Sequence, residues 1–386
     1  MNFRLHLSFL ILLFLVPSGR VTIISAREQT ASTKKGAKVT GTEPKNFQQL
    51  SESAERARQE NRDDEAILLY RQALKIRPDW EEGLWYLGAT LYQKELFAES
   101  RDVMRQFVAE SAQSAPGWAI LGLGEFKTRE YSRALDHMQR ALSLGLSDRP
   151  ELVKSVYYFV CLLRTRFEQY DDSASLMMSL VRAGKETDLY VEPLGLAALR
   201  LPLLPSEISA DRRELISIAG KGTLALEARQ AAEVERLYST MAAAYPDEPG
   251  VHFLYGTFLM DLRPAEGIRE MRREIEISPS HLGARLRLAE EYLREQELDL
   301  ALPLAEEVIR IQPGNALGHM LLGEVLVAKG DLAKGIAELE TARRASPGRV
   351  RTHWDLLRAY SSAGRTEDAR REKDEIEKLG SAETSP

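Results

Sequence analysis

The feature that most constrains this chain is a repeat of 34 residues. Pro279, Pro313 and Pro347 follow one another at that interval, and Leu87-Gly88 lies the same distance before Leu121-Gly122. A period of this length is typical of stacked supersecondary units, each of which contacts mainly its neighbours. The spacing therefore predicts an elongated array rather than two or three ordinary globular domains.

Each unit of the array is predicted to be a pair of short helices. In residues 316–347, apolar residues recur at helical spacing on both sides of the segment Ala328-Lys329-Gly330-Asp331. Glycine can adopt the left-handed conformation that ends one helix, and aspartate can cap the next. Pro347 then closes the pair, because proline cannot donate the next helical hydrogen bond.

Residues at fixed positions of these units resemble the tetratricopeptide repeat. The second-helix pattern of that family is Ala, an aromatic residue, Ala and Pro, and its first-helix pattern is a large residue followed by Leu-Gly. The matching residues are Ala66, Tyr70, Ala73 and Pro78, then Ala301, Ala305, Val308 and Pro313, and for the first helix Trp118, Leu121 and Gly122. The resemblance recurs over about 330 residues and implies an all-α, superhelical solenoid of about nine helix-turn-helix units.

The repeats fall into two arrays. We expect an N-terminal array over residues 47–201, with its last units degenerate, and a C-terminal array over residues 215–380. Two prolines within residues 202–214 forbid a continuous helix, so this segment is predicted to be a break between them. Residues 215–386 hold enough repeats to bury their own apolar faces, and they are expected to fold alone.

The C-terminal end of the array carries a helix with a narrow apolar stripe. It is predicted to begin at Thr366, a good N-cap residue, and to end at Gly380. A polar outer face is what the terminal unit of a solenoid requires, so this helix is interpreted as a cap. Residues 381–386 are expected to form a disordered tail.

The N-terminus has the layout of a secretory signal peptide. Arg4 precedes an apolar run over residues 5–16, and Pro17 ends that run. The run is shorter than the ~20 residues of a transmembrane helix, so we predict cleavage after Ala26 and export to the periplasm or beyond. An uncleaved signal anchor remains the alternative. No cysteine follows the run to accept a lipid, so the mature protein is predicted to be soluble, with no membrane span after signal cleavage.

Charge argues against nucleic acid as a partner. The formal net charge is -6, and loss of Arg4 and Arg20 with the signal peptide changes it to -8. Residues 27–46 are locally basic, with five Lys or Arg against two Glu, and they are predicted to be a disordered linker. This linker either touches an anionic surface or is merely solvated. The single cysteine, Cys161, lies in an apolar run and is interpreted as a buried small hydrophobe.

Catalytic and metal-binding motifs are missing from the sequence. We find no His-Glu-x-x-His, Gly-rich phosphate loop, Gly-x-Ser-x-Gly or Cys-x-x-Cys pattern, so no enzymatic activity and no cofactor are predicted. His252, His319 and His353 share one position of their repeats. Residues at equivalent positions of successive helices stand about 8–10 Å apart or more, too far to share a zinc ion, so these histidines are interpreted as packing residues.

The resemblance implies a binding face, because first helices of tetratricopeptide repeats line a concave groove. Carrying the family's groove positions onto this chain gives the candidate partner-binding residues Trp85, Tyr92, Leu123, Phe126, Tyr158, Phe253, Met260, Glu290, Glu324, Trp354 and Arg358. The aromatic residues among them are either binding anchors or packing residues between repeats. Glu290 and Glu324 either receive a basic side chain of a partner or belong to a solvated or Arg-paired face.

These features together predict a non-enzymatic scaffold that binds a protein or peptide segment in its groove, in envelope assembly or secretion. The alternative is a regulatory or recruiting subunit of an envelope polymer export or processing system. The family's carboxylate-binding set of Lys, Asn and Arg is not found at the groove positions, which disfavours an acidic C-terminal peptide. The pattern specifies the class of partner but neither its identity nor the oligomeric state.

Overall fold

A computed structural model of the chain describes residues 45–146, 149–182 and 187–383. The predicted signal peptide, nearly all of the predicted linker and residues 384–386 lie outside these ranges. Nineteen α-helices account for most of the described residues, which confirms the all-α prediction. The chain divides into two compact units between residues 183 and 184, named unit 1 and unit 2 below.

Unit 1 consists of four antiparallel helix pairs. Each helix packs most extensively against its sequence neighbour, so the pairs are α1/α2, α3/α4, α5/α6 and α7/α8. The helices are α1 Lys45–Gln59, α2 Asp63–Ile76, α3 Glu81–Gln93, α4 Phe97–Glu110, α5 Ala115–Lys127, α6 Tyr131–Leu144, α7 Pro150–Arg166 and α8 Tyr170–Arg182. Three successive first helices therefore begin at or close to the positions that the 34-residue period predicts.

Unit 2 contains one extra helix followed by five pairs. The helices are α9 Val191–Ala198, α10 Arg213–Glu227, α11 Ala231–Ala244, α12 Val251–Met260, α13 Pro264–Ile277, α14 Leu282–Arg294, α15 Leu298–Ile311, α16 Ala316–Ala328, α17 Leu332–Ala345, α18 Val350–Ser362 and α19 Thr366–Glu383. Consecutive helices from α10 onward pair as α10/α11 to α18/α19. The described residues thus hold nine pairs, as the repeat count predicts.

Left-handed residues end the first helix in most pairs. Gly330 has φ +89°, and the Asp331 side chain caps α17 by accepting a hydrogen bond from the Lys334 amide at 3.3 Å. Both features were predicted from the sequence. Non-glycine residues adopt the same conformation at most of the other turns; these are Asn61, Glu95, Arg129, Glu168, Arg229 and Gln296. The turn is therefore set by the packing of the two helices and does not depend on glycine.

Small residues at the repeat positions allow the helices to approach closely. Ala66, Tyr70 and Ala73 of α2 are fully buried, as the family pattern requires. A Cβ atom at Gly88 of α3 would lie 2.6 Å from the Met104 methyl group of α4. The core passes from pair to pair, because Ala289, Ala305, Leu321 and Leu322 of α14, α15 and α16 form one buried cluster. Within unit 2, neighbouring pairs therefore bury apolar surface against each other.

The predicted break at residues 202–214 does not coincide with the boundary between unit 1 and unit 2. This segment lies inside unit 2, where it forms two short 3₁₀ helices, Pro205–Glu207 and Ala210–Arg212. Leu204 and Ile208 are buried. The prolines do interrupt the helix, but apolar residues between them anchor the segment in the core, which the proline signal alone could not reveal.

Two helix ends differ from their expected positions. α1 begins at Lys45, two residues before the expected start of the array. α19 begins at Thr366 as predicted but continues to Glu383, three residues beyond Gly380. Glycine within a helix costs only about 1 kcal/mol relative to alanine, so Gly380 does not have to end the helix.

Candidate functional site

Four of the eleven candidate binding residues lie in the core. Tyr92, Leu123, Tyr158 and Met260 expose only 7%, 2%, 8% and 1% of their surface. The prediction that they line an accessible groove is therefore corrected. They point towards the groove in the family pattern, but the close approach of neighbouring helices in this chain covers them.

Three further aromatic candidates are half-buried against rings of neighbouring elements. Trp85 lies 5.5 Å from the Phe107 ring, measured between ring centroids. Phe126 lies 4.5 Å from Phe159, and Phe253 lies 4.6 Å from the His281 ring. Contacts of this kind contribute to packing within each unit. For these residues the geometry favours the packing interpretation over that of free binding anchors.

The acidic candidates in unit 2 are paired within the chain. Arg351 of α18 donates to both carboxylate oxygens of Glu324 at 3.0 and 2.9 Å, and to Glu290 at 2.6 Å. One guanidinium therefore joins α14, α16 and α18. Arg-pairing, one of the interpretations that the sequence left open, is what the structure contains.

A second carboxylate lies against this network. Asp355 of α18 is 4% exposed; its Oδ1 accepts from Arg358, whereas Oδ2 is buried without a hydrogen-bond partner among the described residues. Burial, together with the neighbouring carboxyl group of Asp355, raises the pKa of Glu324 to about 8, although Arg351 opposes this. Burial and the neighbouring acid therefore keep Glu324 protonated at neutral pH. Arg358, a candidate binding residue, donates a hydrogen bond to Asp355.

Trp354 is the one candidate aromatic residue that is exposed, with about half of its surface in solvent. It exposes 48% of its surface on α18, between the network residues Arg351 and Arg358. The opposite side of the helix is closed by Leu356, Ala359 and Tyr360. Trp354 thus adds little to the core, and its large apolar side chain lies beside fixed charges.

The three histidines of the shared repeat position are hydrogen-bonded within unit 2. In each case Nδ1 faces a glutamate of the following helix and Nε2 faces the carbonyl oxygen of a proline six residues earlier. The sets are His252 with Glu270 and Pro246, His319 with Glu338 and Pro313, and His353 with Glu372 and Pro347. Hydrogen bonding to Glu270 raises the pKa of His252. Both ring nitrogens are engaged, so the histidines hold the turn between pairs rather than a metal.

A cleft of about 400 Å³ lies between the first helices α1 and α3 of unit 1. Its lining includes Ser51 and Glu55, which precede Trp85 and Ala89 by one 34-residue period. Two groove positions of the first repeat, those equivalent to Trp85 and Ala89, therefore line this cleft, whereas Arg58, which is equivalent to Tyr92, does not. Sequence reasoning omitted them because that repeat lacks Leu-Gly, although the period alone could have located them.

Other reactive groups in the described residues are enclosed. The Cys161 thiol is fully buried, and burial raises its pKa to about 12. No group of three or more His, Cys, Asp or Glu side chains in the described ranges is arranged to hold a metal ion. Among the helices described, none combines the length and apolarity needed to cross a membrane.

Comparison with known proteins identifies the repeats. Residues 286–350 and 320–378 match a tetratricopeptide repeat family model, and residues 55–95 match a second model, described as TPR repeat. Comparison with curated proteins gives no match. The matched segments are tetratricopeptide repeats in both units, and such repeats form binding surfaces for other proteins.

Solved structures of the protein MamA are similar to part of the chain. A MamA RS-1 ArsTM double mutant is 20% identical, with a TM-score of 0.41, over 45% of this chain and 98% of that one. A crystal structure of MamA is 18% identical with a TM-score of 0.39, over 42% and 95%. MamA residues 41 to the end from Desulfovibrio magneticus RS-1 give 20% and 0.39, over 45% and 98%. The class that the repeats define is a protein-interaction scaffold.

Proposed function

We propose that the protein is a scaffold of the cell envelope that binds a partner protein through the exposed face of α18 in unit 2. The observation that supports this most directly is the exposure of Trp354. Tryptophan is enriched among the residues that dominate binding energy, because it buries a large apolar area at little cost in side-chain entropy. Here it protrudes beside Arg351 and Arg358, whose charges are already held in place by carboxylates.

The test is a comparison of partner retention by the parent protein and the Trp354→Ala variant. Trp354 is 48% exposed, so the variant should keep its helicity and its melting temperature within a degree or two. If Trp354 is a central anchor, its truncation should cost about 2 kcal/mol of binding, equivalent to a loss of roughly thirtyfold in affinity. Retention of envelope proteins on the immobilised variants, followed by affinity measurement with the retained partner, gives this number.

Leu300→Ala provides a matched control. Leu300 is similarly exposed, at 44%, but it lies on the second helix α15 of its pair. It should retain the partner as well as the parent does. Equal retention by the Trp354→Ala and Leu300→Ala variants would remove Trp354 from the binding face and leave the proposal without its main support.

The envelope location is a separate part of the proposal and rests on the sequence alone. Arg4, the apolar run over residues 5–16 and the small residue Ala26 form the pattern of a cleaved signal peptide. N-terminal sequencing of the protein recovered from the envelope fraction should give Arg27 as the first residue. Recovery of a chain that still begins at residue 1 in the membrane fraction would indicate a signal anchor.

A further inference from the structure

The α1–α3 cleft of unit 1 combines acidic and aromatic groups. Trp80 and Tyr86 form half-buried walls, Tyr70 of α2 lies between them at 5.8 and 6.2 Å, and Glu52 and Glu82 approach from α1 and α3. Its volume of about 400 Å³ falls near the lower end of the ~300–1,000 Å³ of ligand pockets. A side chain of a partner is therefore a better fit than a folded element.

The carboxylates of the cleft differ in how many hydrogen bonds and ion pairs they already form within the chain. Glu55 accepts hydrogen bonds from Arg58, from Gln59 at 2.8 Å and from Tyr70 at 3.2 Å. Burial opposes its ionisation, but these hydrogen bonds lower the pKa of Glu55. Glu52 accepts a hydrogen bond from Gln48 at 3.1 Å, but neither Glu52 nor Glu82 forms an ion pair with a described residue. Arg56 is the only basic side chain in the lining. The free charge of the cleft is therefore negative.

Arg58 lies at the edge of the cleft and already makes the kind of contact that a cationic side chain of a partner would make. The Arg58 guanidinium lies 4.1 Å from the centroid of the Tyr86 ring and pairs with Glu55. A cation over an aromatic face, with a carboxylate at its end, gains from both interactions. The cleft offers the same two groups a second time, in Trp80 with Glu52 and Glu82.

We propose that the α1–α3 cleft binds a cationic side chain, lysine or arginine, from an extended segment of a partner protein. The aliphatic stem would pack against Trp80 and Tyr86, and the charged end would reach Glu52 and Glu82. The inference rests on the proposed scaffold function and specifies the chemistry of one contact between the protein and its partner. It concerns unit 1 and is independent of Trp354 in unit 2.

The experiment measures binding of fluorescein-labelled nonapeptides to the full-length protein by anisotropy. The probes carry three lysines, three arginines or three glutamates, spaced by glycine and serine. The lysine or the arginine peptide should bind, more tightly at low salt, and the glutamate peptide should not. The double variant Glu52→Gln with Glu82→Gln should weaken cationic-peptide binding at least tenfold with an unchanged melting curve.

The control is the double variant Glu110→Gln with Asp136→Asn, which removes the same two negative charges. Both residues are exposed on the second helices α4 and α6. It should bind the cationic peptide within twofold of the parent. Equal weakening by the two double variants would show attraction to net charge only, and no binding of either cationic peptide would also overturn the inference. Trp354-dependent partner retention would survive either result, so the two proposals can fail separately.

Discussion

Single side chains on the first helices are held by partners from distant repeats. Arg351 is the clearest case, because it contacts both Glu290 and Glu324, the two acids that the sequence marked as available to a partner. The network also includes the buried Asp355. This acid raises the pKa of Glu324, whereas Arg351 lowers it. The result is a site whose charge depends on pH rather than one open to a basic ligand.

We predict that the stability of unit 2 falls as the pH rises from about 4.5 to 8. The folded-state pKa of Glu324 is raised from its ordinary 4.5 to about 8, so in that window the folded protein binds more protons than the unfolded chain. Glu324→Gln removes this titration. Its melting temperature, followed by circular dichroism, should exceed that of the parent at pH 8.5 and approach it at pH 5.

Glu290→Gln is the control for this experiment. Glu290 contacts the same arginine but is more exposed than Glu324. Its melting temperature should keep the parent's dependence on pH. Parallel curves for the parent and Glu324→Gln across the whole range would show that the proton is not held at this site.

At the scale of elements, the sequence predicted the positions of the helices along the chain better than the tertiary contacts between them. The period located the nine pairs, and Gly330-Asp331 marked a turn correctly, because both signals are local. The contacts of residues 202–214 were missed since Leu204 and Ile208 are buried by tertiary packing. Likewise, Tyr92 and Met260 occupy groove positions of the pattern, but only the spacing between helices decides whether such positions reach solvent.

The crossing of α9 and α10 depends on two glycines. A Cβ atom at Gly195 would lie 2.0 Å from the Ile216 carbonyl oxygen, and one at Gly220 would lie 1.9 Å from the Val191 carbonyl oxygen. Neither backbone can move aside without separating the helices. Gly220→Ala should therefore destabilise unit 2 by about 1–3 kcal/mol or more, which corresponds to a melting temperature lowered by at least a few degrees.

Gly380→Ala is the matched substitution for comparison. No atom lies within 4 Å of a Cβ placed at Gly380 of α19. Since alanine is the better helix former, this variant should be stabilised by about 0.5–1 kcal/mol. If Gly220→Ala melts at or above the temperature of Gly380→Ala, the close crossing of α9 and α10 is not a structural requirement.

At the scale of the whole molecule, the boundary between units determines which fragments can fold. α9 packs along α10, and Leu194 and Leu196 are fully buried in unit 2. We therefore expect residues 187–386 to melt cooperatively alone. In residues 213–386, by contrast, α9 is missing and the apolar side of α10 that packs against it is exposed to solvent. The shorter fragment should melt at least about 5 °C lower, since several buried leucines are removed.

Thermal unfolding of the two purified fragments by calorimetry provides the comparison. Equal melting temperatures would mean that α9 and residues 202–212 contribute nothing to the core of unit 2. An uncooperative transition in both fragments would show instead that unit 2 requires unit 1 for its stability.

The enclosure of Cys161 has a practical consequence for kinetics. It is the only cysteine of the chain and lies in unit 1, and its carbonyl oxygen accepts a hydrogen bond from Ser173. A buried, protonated thiol reacts with alkylating reagents only during opening events. The rate at which the thiol is labelled therefore measures how often α7 and α8 open. The measurement needs no introduced probe, and unit 2 contributes no signal to it.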